Sequence, residues 1–157
     1  MTGLPLPSEG TLVAGVHRFP VRVYYEDTDA AGIVYYANYL KFAERARTEM
    51  MRRFGVEHEK WRETEGVAFI VCRVAIEYRA PARLDDVLEV ETRIKELGGA
   101  SILLDQDIKR DDTLLADSSI LIACVGRNGR AVRLPRALRA ALLTHNETSR
   151  MVIAHAR

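Results

Sequence analysis

Hydrophobic and polar positions divide this chain into one strand, one long helix and a run of further strands. From Val16 to Tyr25 apolar and β-branched residues partly alternate with polar ones, which predicts a strand. After a polar, turn-rich stretch, Tyr39, Phe42, Ala43, Ala46, Met50 and Phe54 recur at helical spacing, and Gly55 is a natural stop. Lys41, Glu44, Arg45, Arg47, Arg52 and Arg53 fill the other side of that helix, and Glu49 precedes Arg53 by one turn in the favourable order. The two alanines on the stripe allow close approach to a sheet. A short helix is expected over Glu57–Thr64, with Trp61 turned inward.

Period-two alternation then dominates. Cys72, Val74, Ile76 and Tyr78 form one apolar face, and Leu88, Val90, Thr92 and Ile94 another. A strand from Ser101 to Lys109 carries Ile102, Leu104 and Ile108, and the next runs from Leu114 to Val125, closed by the turn signal Asn128-Gly129. Pro135 opens a last short helix, Arg136–Leu143. Consecutive strands at such short spacing are expected to pair antiparallel, because parallel neighbours need a long crossover. The reading is α+β, a curved antiparallel sheet around one helix. Residues 1–15, rich in Gly and Pro, read as a flexible lead-in, 16–143 as the domain and 144–157 as a C-terminal tail.

Composition narrows the function classes. With 157 residues there is room for one domain with a real core. Lys+Arg 23 against Asp+Glu 22 gives a net charge of +1, so nothing draws the whole molecule to nucleic acid, and any anion must be gripped locally. No apolar run reaches the ~18 residues of a membrane span, and no secretory signal opens the chain. Cys72 and Cys124 stand far apart in apolar runs and read as buried thiols of a cytoplasmic protein. His17, His58, His145 and His155 lack metal-site spacing and read as surface residues, so no metal is expected. Ser118-Ser119 has no nucleophile-elbow context.

The informative segment is Tyr24-Tyr25-Glu26-Asp27-Thr28-Asp29-Ala30-Ala31-Gly32-Ile33-Val34-Tyr35-Tyr36-Ala37-Asn38-Tyr39. It sets three acids and a glycine between a strand and the N-terminus of the long helix. A helix start offers free N–H groups and the positive end of a dipole to an oxyanion. A nearby acid can activate water or attack a carbonyl. Acids before a helix also serve as caps and dipole partners, and Asp27 is assigned that structural part.

This segment from Val21 to Leu40, with Phe42-Ala43-Glu44-Arg45-Ala46-Arg47-Thr48-Glu49-Met50, resembles the Tol-Pal-associated acyl-CoA thioesterases of the hotdog superfamily. The likeness continues through Val67-Ala68-Phe69-Ile70-Val71, Glu77–Leu88 and Arg133-Leu134-Pro135. The resemblance implies a hotdog fold and hydrolysis of an acyl-CoA thioester. It places the catalytic carboxylate, nucleophile or base, on Asp29 and the oxyanion donor on the backbone N–H near Tyr36. It implies no cofactor, CoA being part of the substrate, and a homotetramer built as a dimer of dimers. Two departures stand out. Tyr36 replaces the histidine usual in the Tol-Pal branch, and Gly98-Gly99-Ala100 occupies the place where the hydroxybenzoyl-CoA branch carries bases for the CoA phosphates. Competing readings are an adaptor for acyl carrier protein or envelope machinery, and a hotdog hydratase or dehydratase, which would need a histidine beside the acid.

Overall fold

The computed structural model describes residues 3–155, with side chains as far as residue 146. Six strands form one antiparallel sheet: β1 Thr11–Val13, β2 Val16–Arg22, β3 Val67–Tyr78, β4 Val87–Leu97, β5 Ser101–Arg110 and β6 Thr113–Gly126. Their spatial order is β1-β2-β4-β5-β6-β3. Helix α1, Asn38–Arg53, leaves the β2 side and delivers the chain through α2, His58–Thr64, to β3 at the opposite edge. The long helix therefore crosses the concave face of the sheet and is wrapped by it, as the α+β reading expected.

Burial follows the stripes. Phe42, Ala43, Ala46 and Met50 are all at most 1% exposed, and they split the core into two clusters along α1. Around its first half, Phe42 and Ala46 meet Val23, Leu88, Val90, Ile108 and Leu115; around its second, Met50 and Met51 meet Ile94, Leu104, Ile120, Cys124, Leu138 and Leu142. Each fully buried aliphatic side chain here contributes roughly 1.5–3 kcal/mol by leaving water. The small Ala43 also brings the helix backbone close enough for Gln106 of β5 to donate from Nε2 to its carbonyl (2.9 Å). The same amide donates to Thr92 Oγ1 (2.9 Å) and its Oε1 accepts from the half-buried Arg47 (2.9 Å). The side-chain amide of Gln106 is thereby satisfied under the helix, which pins α1 to the sheet at a fixed height.

Register shifts at Val71/Arg73 and Ile94/Glu96 bend the sheet around α1, as bulges do. On its convex face Glu91 is buried among Arg18, Arg93 and Lys109. Burial works to raise its pKa, but hydrogen bonds from Arg93 and Lys109 outweigh it and hold the carboxyl below its ordinary range.

Several expectations are corrected. The rule that consecutive strands pair fails at β3 and β4: β3 pairs with β6, and β4 sits between β2 and β5. The connection 79–86 is long enough to carry the chain across, so sequence proximity does not decide pairing there. The lead-in contributes β1, paired in register with β2 (Thr11 with Arg18). The last helix, α3, does not stop at Leu143 but runs Arg136–His155, because nothing in 144–155 breaks a helix. Cys72 is exposed, at the bulge of an edge strand, whereas Cys124 is buried as expected. β3 has no dry face of its own: Val74 and Tyr78 are 39% and 44% exposed. Far from lying at the surface, His17 is 0% exposed and His145 9%. The side chain of His155 lies outside the described residues.

Candidate active site

The loop between β2 and α1 is built on Asp27. Its carboxylate accepts the Tyr24 N–H (2.7 Å) across a short 3-10 turn, Tyr25–Asp27. Its carbonyl accepts both the Tyr35 N–H (2.9 Å) and the Asn38 side-chain amide (2.9 Å). At 4% exposure Asp27 is the post from which both arms of the loop hang, the structural part assigned to it. The arms are tied by a bridge between Thr28 and Val34, and Val34 N–H reaches Ala82 O (2.9 Å).

Asp29 occupies the tip. Its N–H donates to Ile33 O (2.9 Å), its carbonyl accepts from Gly32 (3.0 Å), and its Oδ1 accepts the Ala31 N–H (2.8 Å). Gly32 closes this turn at φ +78°, a conformation costly for any residue with a Cβ. One carboxylate oxygen is thus held while Oδ2 has no hydrogen bond among the described residues. The exposed side chain is oriented by its own turn and open to an incoming group.

Beside it stands the head of α1. Neither the Tyr36 nor the Ala37 N–H is hydrogen-bonded among the described residues, so both are free donors at the positive end of the helix. The two parts are joined by the pairing of the loop's arms, Thr28 with Val34 and the Asp29 N–H with Ile33 O, and the Tyr35 and Tyr36 rings meet edge-on at 4.8 Å. The two sequence-assigned groups, Asp29 and Tyr36, therefore lie on the two paired arms of one loop. Next to them Ile33, Val34, Tyr36, Tyr39, Tyr78 and Pro81 line an apolar cavity of about 260 Å³.

A larger groove, about 610 Å³, lies on the convex face of the sheet. Glu77, Asp105, Asp107 and Asp117 line it, and burial raises the Asp107 carboxyl, with the neighbouring acids adding to that rise against Arg93 and Lys109. That sign repels an anionic ligand, so size does not locate the chemistry here. None of the described histidines contacts the Asp29 loop: His17 meets Glu9 O (2.8 Å), His145 Phe54, and His58 Phe69.

A profile of the thioesterase-like superfamily matches residues 23–142. The chain belongs to that superfamily. An acyl-CoA thioesterase, YbgC, of Haemophilus influenzae is 45% identical over 124 residues, covering 78% of this chain and 91% of the relative. The acyl-CoA thioester hydrolase YbgC of Escherichia coli O6:H1 is 50% identical over 109 residues, 69% of this chain and 81% of the relative. Among solved structures, a probable thioesterase from Bartonella henselae superimposes with a TM-score of 0.74 at 36% identity, over 76% of this chain and 99% of that one. The hotdog fold inferred from the motif is the fold observed.

Sequence reasoning missed a run of arginines at the other end of the sheet, by the start of β3 and the end of β4. Arg127, Arg130, Arg133, Arg136 and Arg139 fall within 127–139, and none has an ion-pair partner among the described residues. The segment packs on the base-free turn: Leu134 N–H donates to Gly99 O (3.0 Å), and Arg139 donates to Gly98 O. The spacing of the arginines was visible; their placement against Gly98-Gly99 was not.

Proposed function

We propose that this chain hydrolyses an acyl-CoA thioester to the free acid and CoA, with Asp29 as nucleophile or as base on water and the Tyr36 amide as the oxyanion donor. The observation that carries this reading is the pairing of a half-tethered carboxylate with an unpaired helix-start amide on one rigid loop. The names and 45–50% identity of the YbgC relatives support it. Water adds to the carbonyl carbon as Asp29 takes its proton, or the carboxylate adds directly and water later cleaves the anhydride. In either case negative charge grows on the carbonyl oxygen before the thiolate leaves, and a preorganised N–H there is worth most in the transition state. Tyr36 in place of histidine leaves the backbone donor intact. The fit of the motif and the Gly98-Gly99-Ala100 turn support membership of the Tol-Pal-associated branch, and the absence of a cysteine framework in the sequence supports action in the cytoplasm.

The phosphates of CoA are then assigned to the arginines of 127–139 of a second copy, since within one chain these stand at the start of β3 and the Asp29 loop near its end. Oligomerisation belongs to the same proposal. β3 leaves its outer edge unpaired and exposes Ile70, Val71 and Val74, so two copies joined along β3 would cover it, with two such dimers forming a tetramer. The test of function is CoA-thiol release from a panel of short, long and aromatic acyl-CoA esters. Turnover of at least one member is expected, and none from any member would remove the proposal.

A further inference from the structure

Four of the six tyrosines, Tyr35, Tyr36, Tyr39 and Tyr78, touch ring to ring around the head of α1, but one makes a contact of a different kind. Tyr78, the last residue of β3, reaches 42 positions back along the chain and donates its hydroxyl to the Tyr36 carbonyl (2.8 Å). That acceptor is available because the first turn of α1 is tight. The Leu40 N–H is directed to Ala37 O (3.2 Å), the i to i+3 pattern, and leaves Tyr36 O to a donor from outside the helix. The Tyr78 ring is fixed by two edge-on neighbours, Tyr36 (6.3 Å, 86°) and Tyr39 (5.4 Å, 73°). Tyr39 is anchored in turn, its own hydroxyl accepting the Ala82 N–H (3.0 Å).

A trans peptide is planar, with its C=O and N–H pointing in opposite directions. Holding the Tyr36 carbonyl therefore aims the N–H of the same peptide, which belongs to Ala37. The Tyr36 N–H is aimed by the preceding peptide, whose Tyr35 carbonyl accepts the Asn38 N–H (2.8 Å). Donation into a carbonyl also polarises its amide and strengthens the N–H as a donor. We propose that Tyr78 is a positioning residue that fixes the Tyr36–Ala37 peptide so that the Ala37 N–H joins the Tyr36 N–H in receiving the thioester oxyanion. This rests on the hydrolase reading above and adds to it a second donor and the side chain that sets it.

The experiment compares wild type, Tyr78→Phe and Ser118→Ala in steady-state hydrolysis of the best acyl-CoA substrate, together with the Ala37 amide resonance in protein labelled with 15N-alanine. Tyr78→Phe keeps the ring and the cavity wall. Loss of a whole oxyanion donor lowers kcat by about 100- to 1000-fold, and loosening one of two is expected to cost about 10-fold. KM stays within about 2-fold, because the contact acts on the transition state. The Ala37 resonance moves upfield in Tyr78→Phe. Ser118→Ala, which removes a buried hydroxyl bonded to Gln106 O (2.9 Å) on the strand beside β3 without touching the Tyr36 carbonyl, keeps kcat within about 2-fold even where it lowers Tm.

Wild-type kcat in Tyr78→Phe, an equal loss in Ser118→Ala, or an unmoved Ala37 resonance would each overturn the proposal. If the wild type hydrolyses no thioester, the hydrolase reading itself fails, and the oxyanion role of Tyr78 falls with it even where the Ala37 resonance moves.

Discussion

Replacing Asp29 by Asn lowers kcat by at least about 100-fold and leaves Tm within about 2 °C. The first figure is the low end of what a positioned base or nucleophile supplies. The second follows from the turn. Asn keeps an Oδ1 that accepts the Ala31 N–H now held by Asp29 (2.8 Å), and the side chain is exposed, so neither a cavity nor an orphaned buried group is created. KM stays within about 3-fold, since the carboxylate acts on the reacting carbon and not on the CoA body. Steady-state kinetics beside a thermal melt separate these expectations. A variant that is both folded and as active as wild type would remove Asp29 from the chemistry.

The second large effect is on stability in mild acid. His17 and His145 are buried where the turn before β2, the end of α1 and α3 meet. His17 Nε2 is bonded to Glu9 O and its Nδ1 has no partner, while His145 Nε2 is also unpartnered and its ring lies edge-on to Phe54. Both are held below the ordinary 6.5, His17 by burial and further by the charge of Arg53 and by His145, and His145 by burial against a backbone bond to Gly15 that raises it. The unfolded chain therefore takes up these protons first. Stability is fully present above about pH 6.5 and is lost as pH falls below it, with a slope of at most about 1.4 kcal/mol per pH unit for each ring. Urea midpoints measured from pH 7.5 to 5 should fall accordingly. Replacing His17 by Gln should flatten that slope even where it lowers the midpoint at pH 7.5, and a midpoint independent of pH would contradict the account.

The sequence shows some of this architecture directly and conceals the rest for physical reasons. The stripe Tyr39, Phe42, Ala43, Ala46 and Met50 is legible because each helical position sees one environment, apolar or wet, along its whole length. The alternations in β4 and β5 are equally plain, since one face of each meets α1. β3 misleads because it is an edge: the apolar alternation is present, but in one chain Val74 and Tyr78 stay largely open to solvent. The crossing of β3 to the far edge could not be read, because pairing there is set by where α1 delivers the chain and not by the length of the turn after it. The buried histidines were missed for a related reason, their burial being supplied by Glu9, Phe54 and α3, all distant or unassigned in the pattern. Asp29 and the α1 head were found because the motif is local. The Tyr78 contact and the arginines beside Gly98-Gly99 are long-range and needed the fold.

The most direct test of the site is a structure of the full-length protein with a non-hydrolysable acyl-CoA analogue in which a methylene replaces the thioester sulfur. The account predicts the analogue's carbonyl oxygen about 3 Å from the Tyr36 amide nitrogen, and an Asp29 oxygen about 3–3.5 Å from the carbonyl carbon or from a water facing it. A carbonyl bound away from the head of α1, with neither Asp29 nor Tyr36 in contact, would contradict it.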